Sequence, residues 1–211
     1  MSVSIRSTIW AGATLLAVFL ATEASEAEEE FDVTARHEIE TLISLPHGFG
    51  PLHPESEGVL KRIKSMPDKY IPIIEEVTDD RLKKEDWNAV KGLSALLSEL
   101  SMPAAWEQLG SLYLKLVESG GSKCPAKTQA QRAILSRLGE NQRFDMKVAN
   151  RCLEQLEDGN STELGTINIY LTRTAKGNKT VIDRLRNITE DKNSSLYKHP
   201  ELNLLIQKLN Q

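Results

Sequence analysis

After residue 31, apolar residues recur at the three- and four-residue spacing of helices along nearly the whole chain, and alternating strand patterns are scarce. Asp32 is placed to cap a first helix running to about Ser44, with Val33, Ile39, Leu42 and Ile43 facing inward. The stretch SLPHGFGPLHPESEG, Ser44 to Gly58, carries too much Pro and Gly to continue that helix. Short helices follow from about Ser56 to Ser65, with Val59, Leu60 and Ile63, and from Pro67, with Tyr70, Ile73, Ile74 and Val77. In DWNAVKGLSALLSEL the apolar face is Ala89, Val90, Leu93, Leu96, Leu97 and Leu100. Ser101 and Pro103 open the next helix, and Gly120 and Gly121 stop it. Thr128 and Gln131 have the spacing of a capping box. Val148, Ala149, Cys152, Leu153 and Leu156 then share one face of a helix ending at Gly159. Two helices around Ile167 to Ala175 and Lys179 to Glu190 precede a final amphipathic one opened by Pro200.

The pattern repeats, and its period decides the fold. In PAAWEQLGSLYLKLVESG, Pro103 to Gly120, the residues Trp106, Leu109, Gly110 and Tyr113 match the W-x2-L-G-x2-Y signature of tetratricopeptide repeats. A shift of 34 residues, that family's period, lands on Glu140, Arg143, Phe144 and Lys147 in one direction and Pro72, Glu75, Glu76 and Asp79 in the other. The signature is not repeated. A shift of 39 instead maps Leu109, Gly110, Tyr113, Leu114 and Val117 onto Val148, Ala149, Cys152, Leu153 and Leu156. The helix ends VTDD, VESG, LEDG and ITED recur at steps of 40, 39 and 32. From Ser56 to Lys192 the chain therefore resembles a HEAT-type α-solenoid, built of two-helix units of about 40 residues. The resemblance implies an all-α fold, with antiparallel helix pairs stacked as a short right-handed α-solenoid. About four pairs occupy residues 56–192, an N-terminal capping helix and Pro/Gly loop residues 25–55, and a C-terminal capping helix residues 193–211. A single tetratricopeptide-like helix is one alternative, and an irregular helical bundle with accidental periodicity is another. Trp106 and Tyr113, seven apart on one helix, are read as core between repeats rather than an aromatic recognition patch.

The N-terminus points to export. Arg6 precedes the apolar run Ile9 to Leu20, which is too short to span a bilayer and is followed by small residues spaced for a signal peptidase. Residues 1–24 read as a signal peptide cleaved after Ala24, alternatively after Ala27, with an uncleaved signal anchor as the other possibility. The expected location is periplasmic or extracellular, with no stable membrane insertion after cleavage. In an oxidising compartment the two cysteines, Cys124 and Cys152, become candidates for one disulfide; the competing reading is a buried Cys152 and a free Cys124. Four N-x-S/T sequons, at Asn160, Asn178, Asn187 and Asn193, are glycosylation sites if the source is eukaryotic, and polar turns and caps otherwise.

Composition and charge narrow the function classes. Aromatic residues make up 5% of the 211, and the net charge of −4 comes with both signs mixed along the chain. Apart from a short basic stretch from Arg173 to Arg186 that also contains Asp183, nothing resembles the clustered basic face of a nucleic-acid binder. There is no G-x-S-x-G elbow, no phosphate-binding glycine loop and no H-E-x-x-H; His37 begins HEIET, with Thr41 at the fifth position. The sequence therefore points to a non-catalytic protein without cofactor, binding another protein or peptide as a scaffold or adaptor. Family analogy offers Lys115, Lys147, Arg151 and Glu154 as contacts on the second helices. The rival readings are a small metal-dependent or hydrolytic enzyme using His37, His47 and His53, and a structural envelope protein held by an uncleaved anchor.

Overall fold

A computed structural model describes residues 29–44, 54–119, 124–159 and 163–211, and there the chain is all-helical. Helix α1 covers residues 29–43, followed by α2 (Pro54–Ser65), α3 (Pro67–Lys83), α4 (Trp87–Leu100) and α5 (Pro103–Glu118). The remainder are α6 (Pro125–Glu140), α7 (Met146–Glu157), α8 (Leu164–Thr174), α9 (Lys179–Glu190) and α10 (Pro200–Leu209). The predicted N-terminal apolar run, Gly120 and Gly121 lie outside the described residues.

Packing follows a simple rule. Even-numbered helices from α4 to α10 contact their even neighbours, odd-numbered helices from α3 to α9 contact their odd neighbours, and the pairs α3–α4, α4–α5, α5–α6, α7–α8 and α9–α10 join the two rows. The apolar stripes read from the sequence face the space between the rows: Leu93 and Leu97 from α4, Ile134 and Leu138 from α6, Leu109 and Leu116 from α5, and Leu153 and Leu156 from α7 are all buried. Tyr113 and Tyr170 are the largest fully buried side chains. Trp106 is also buried, as expected for core, with the Arg143 guanidinium 5.3 Å from its ring. Trp87 is buried at the entry to α4.

Polar pairs set the register of helices in the odd row. Phe31 meets Tyr70 edge-on at 5.3 Å, Arg36 pairs with Glu76 at 2.7 Å, and Arg81 pairs with Glu40 at 2.7 Å, so α1 and α3 run in the same direction. Lys115 of α5 reaches Asp79 and Glu75 of α3, and Arg184 of α9 forks onto Glu157 of α7. Each such pair, being partly exposed, contributes ~0–1 kcal/mol. Their effect is on alignment; burial supplies the stability.

Several sequence expectations are corrected at helix ends. Asp32 lies inside α1, which is already helical at residue 29, and Val33 is 67% exposed while Ala35 takes the inward position. Thr128 and Gln131 sit within α6, whose N-cap is Cys124; its Sγ accepts from the Lys127 amide at 3.4 Å. Ser101 does not open α5 but ends α4, in the left-handed region at φ 52°. Gly159 does end its helix, at φ +75°. Two further ends, like that at Ser101, close on a left-handed residue that is not glycine. Glu85 after α3 and Gln142 after α6 take left-handed φ near 50°. Paired backbone bonds close both ends: Asp86 N to Arg81 O and Glu85 N to Leu82 O, then Arg143 N to Leu138 O and Gln142 N to Gly139 O.

One glycine fixes a close approach. A Cβ on Gly92 would sit 2.6 Å from the Ile43 carbonyl oxygen, so α1 rests directly on the backbone of α4. Gly92→Ala is expected to cost ~1–3 kcal/mol through overpacking. Gly165→Ala, with open space around it, is expected to gain up to ~1 kcal/mol of helix propensity. Urea unfolding midpoints of the two variants check both signs; equal midpoints would refute the close contact.

Candidate functional site

A stripe of small residues, Ala89, Gly92 and Ala95, runs at helical spacing along one edge of the core face of α4 and away from it. The end of α1 covers this stripe only as far as Gly92. What is left uncovered between the end of α1, α4 and α6 is an open cleft of about 590 Å³, floored by Ile43 and those small side chains.

Five charged side chains line it: Glu40, Arg81, Asp86, Lys91 and Arg137. Arg81 is half-buried and spans both carboxylates, with Nη2 2.7 Å from Glu40 and Nη1 3.4 Å from Asp86. Asp86 is further committed as the N-cap of α4, accepting from the Ala89 amide at 3.1 Å. Neither carboxylate is within ion-pair distance of Lys91 or Arg137, and no other described carboxylate is either. Arg137 Nη1 instead donates to the Ala133 carbonyl at 3.2 Å. Burial pushes the Arg137 pKa down from its usual value, while Glu140 and Glu99 act the other way from a distance. A guanidinium does not lose its proton under such a shift, so the cleft retains a partly desolvated cation.

The sequence-predicted residues fall elsewhere. Cys124 and Cys152 are both free, so the expected bridge is not made: Cys124 is engaged at the N-terminus of α6 and Cys152 is fully buried on α7. Tyr113 donates its one proton to Gln155 Oε1 at 3.0 Å, and the Cys152 thiol lies 3.4 Å from the Tyr113 oxygen, to which it can donate. Burial raises the Cys152 pKa from 9.0 to about 12 and pushes Tyr113 and Tyr170 well up. Each is a neutral core donor at neutral pH.

His37 is exposed on α1; His47 and His53 lie outside the described residues, and no group of three or more His, Cys, Asp or Glu able to hold a metal forms among those described. Of the sequons, Asn160 is also outside them. Asn178 caps α9 by accepting from the Val181 amide, whereas Asn187 and Asn193 are exposed. Lys115 is tied between Asp79 and Glu75, and Arg151 to Glu154 at 2.8 Å; Lys147 alone of that set is exposed with no ion-pair partner among the described residues. No described helix is long and apolar enough to cross a membrane.

Sequence reading missed the cleft, because Lys91 and Arg137 belong to no motif. The small-residue stripe on α4 was the one available signal. Comparison with known proteins adds no name: no family model, no curated protein and no solved structure matches the chain.

The buried thiol gives a test. At neutral pH iodoacetamide is expected to modify Cys124 in the folded chain and Cys152 only after unfolding; modification of both at one rate would contradict the packing. Folding holds a proton on Cys152 that the unfolded chain releases near pH 9. Stability is therefore full below about pH 9 and falls as pH rises toward about 12, by up to ~1.4 kcal/mol per pH unit for this group. In Cys152→Ala the decline is expected to begin about one unit higher, at the tyrosines' ordinary 10.0. Urea midpoints across pH 8 to 11 read the difference.

Proposed function

We propose that the chain is an exported, non-catalytic helical-repeat scaffold that binds another protein or peptide on the surface of its stacked helices. The observation that carries this reading is the two-row packing, in which each helix from α3 onward contacts the next member of its own row. Stacking of that kind spends the apolar faces between neighbours and leaves an extended lateral surface for a partner. The period of about 40 residues supports two-helix units of HEAT type, wound as a right-handed solenoid. The apolar run from Ile9 to Leu20 supports export to a periplasmic or extracellular location.

The chemistry of the interior agrees with binding rather than catalysis. A nucleophilic thiol needs a lowered pKa and access, and Cys152 has neither. Nucleic acid is a poor match for an acidic chain whose cleft between α1, α4 and α6 includes two carboxylates.

Cross-linking of the full chain in the cells that make it, read by mass spectrometry, tests the proposal. The expected result is one dominant protein partner, with cross-links confined to one face of the stack. A purified chain that has no partner and retains about one equivalent of zinc or iron would overturn it in favour of an enzyme at His37, His47 and His53.

A further inference from the structure

We propose that the cleft between the end of α1, α4 and α6 docks an acidic peptide segment of a partner protein, whose carboxylates pair with Lys91 and Arg137. The inference rests on the scaffold reading and names the kind of partner segment that one part of its surface selects.

Charge within the cleft carries it. Three cations and two carboxylates line the walls, and Arg81 already engages both carboxylates. Lys91 and Arg137 are left without an ion-pair partner among the described residues, and the cleft carries one net positive charge in a chain whose net charge is −4. Arg137 is half-buried, with a backbone carbonyl as its hydrogen-bond acceptor. A half-buried cation with no carboxylate at ion-pair distance gains from an arriving one, and the planar guanidinium fork offers it two parallel bonds.

Shape and the remaining charges select among anions. The floor of Ile43, Ala89, Gly92 and Ala95 has no large side chain standing out of it, which suits an extended backbone lying along α4. A volume of about 590 Å³ falls within the ~300–1,000 Å³ usual for ligand-binding clefts. Glu40 and Asp86 sit on the same walls and would repel the unbroken charge of a polyphosphate or nucleic-acid backbone. A peptide avoids that conflict: its amide N–H groups can donate to those carboxylates while its acidic side chains turn to Lys91 and Arg137.

The test is a fluorescence-anisotropy titration of the full chain against a labelled peptide of six glutamates, with a labelled peptide of six lysines for comparison. Lys91→Gln and Arg137→Gln are each expected to weaken glutamate-peptide binding about tenfold. Lys208→Gln, exposed on α10, should leave it unchanged. Arg137→Lys, which keeps the charge and loses the fork, should recover part of the affinity. Added salt should weaken the complex. Binding that is equal for the two peptides, or indifferent to both glutamine variants when circular dichroism shows them folded, overturns the proposal. So does displacement of the peptide by tripolyphosphate at concentrations as low as those of unlabelled peptide, since that marks a general anion site. A cross-linked partner seated elsewhere, bound normally by Lys91→Gln and Arg137→Gln, would sink the cleft and leave the scaffold standing. Charge-dependent peptide binding by a chain with no partner in cells would do the reverse.

Discussion

The contact between Gly92 and the Ile43 backbone sets the geometry on which the rest depends. Helix α4 is the most enclosed of the helices around it, with Trp87, Val90, Leu93, Leu96 and Leu97 all buried. It touches α3, α5 and α6, so its position is fixed from three sides. The absence of a side chain at Gly92 lets the end of α1 approach to direct backbone contact. Close-packed interiors do not absorb a misfit of even a methyl group without movement elsewhere. The depth at which α1 rests therefore decides where its end falls, and so where the cleft opens.

Burial and ion pairing do different work in this chain. Burying a Leu or Ile side chain yields roughly 1.5–3 kcal/mol, several times an exposed ion pair. The pairs between α1 and α3, α3 and α5, and α7 and α9 add little to stability by comparison. They are direction-specific, however, which apolar contact is not. A stripe of Leu and Ile would tolerate a slide of one turn. The forked Arg184–Glu157 pair and the Arg81 bridge to Glu40 and Asp86 would not.

Most of the helices were legible because their apolar faces are uninterrupted. The face of Val148, Ala149, Cys152, Leu153 and Leu156 is buried as a unit, and α9 runs from Lys179 to Glu190 as its pattern predicts. The errors lie where local signals compete. Thr128 and Gln131 have the spacing of a capping box, yet Pro125 sets the helical φ three residues earlier and leaves Cys124 as the cap. Glu85 and Gln142 adopt a left-handed conformation that sequence rules reserve chiefly for glycine, because two closing backbone bonds at each end outweigh the strain. The even cysteine count pointed to a bridge, but Cys152 sits on the inward stripe of α7, where Tyr113 and not Cys124 is its neighbour.

The candidate site was illegible for a different reason. Its content is a mismatch of charge, and a mismatch exists only once the fold has decided which acids reach which bases. Lys91 and Arg137 lie 46 positions apart, on helices brought together by the even row. Along the sequence Arg137 has Glu140 close by, at the spacing of a helical pair, and looks compensated. In the fold Glu140 accepts from the Ser136 hydroxyl at 3.0 Å and Arg137 turns into the cleft. Lys115, Arg132 and Arg184 each meet a carboxylate from another part of the fold. Lys91 and Arg137 line one cleft and have none at ion-pair distance among the described residues, a difference that only the packing of the helices creates.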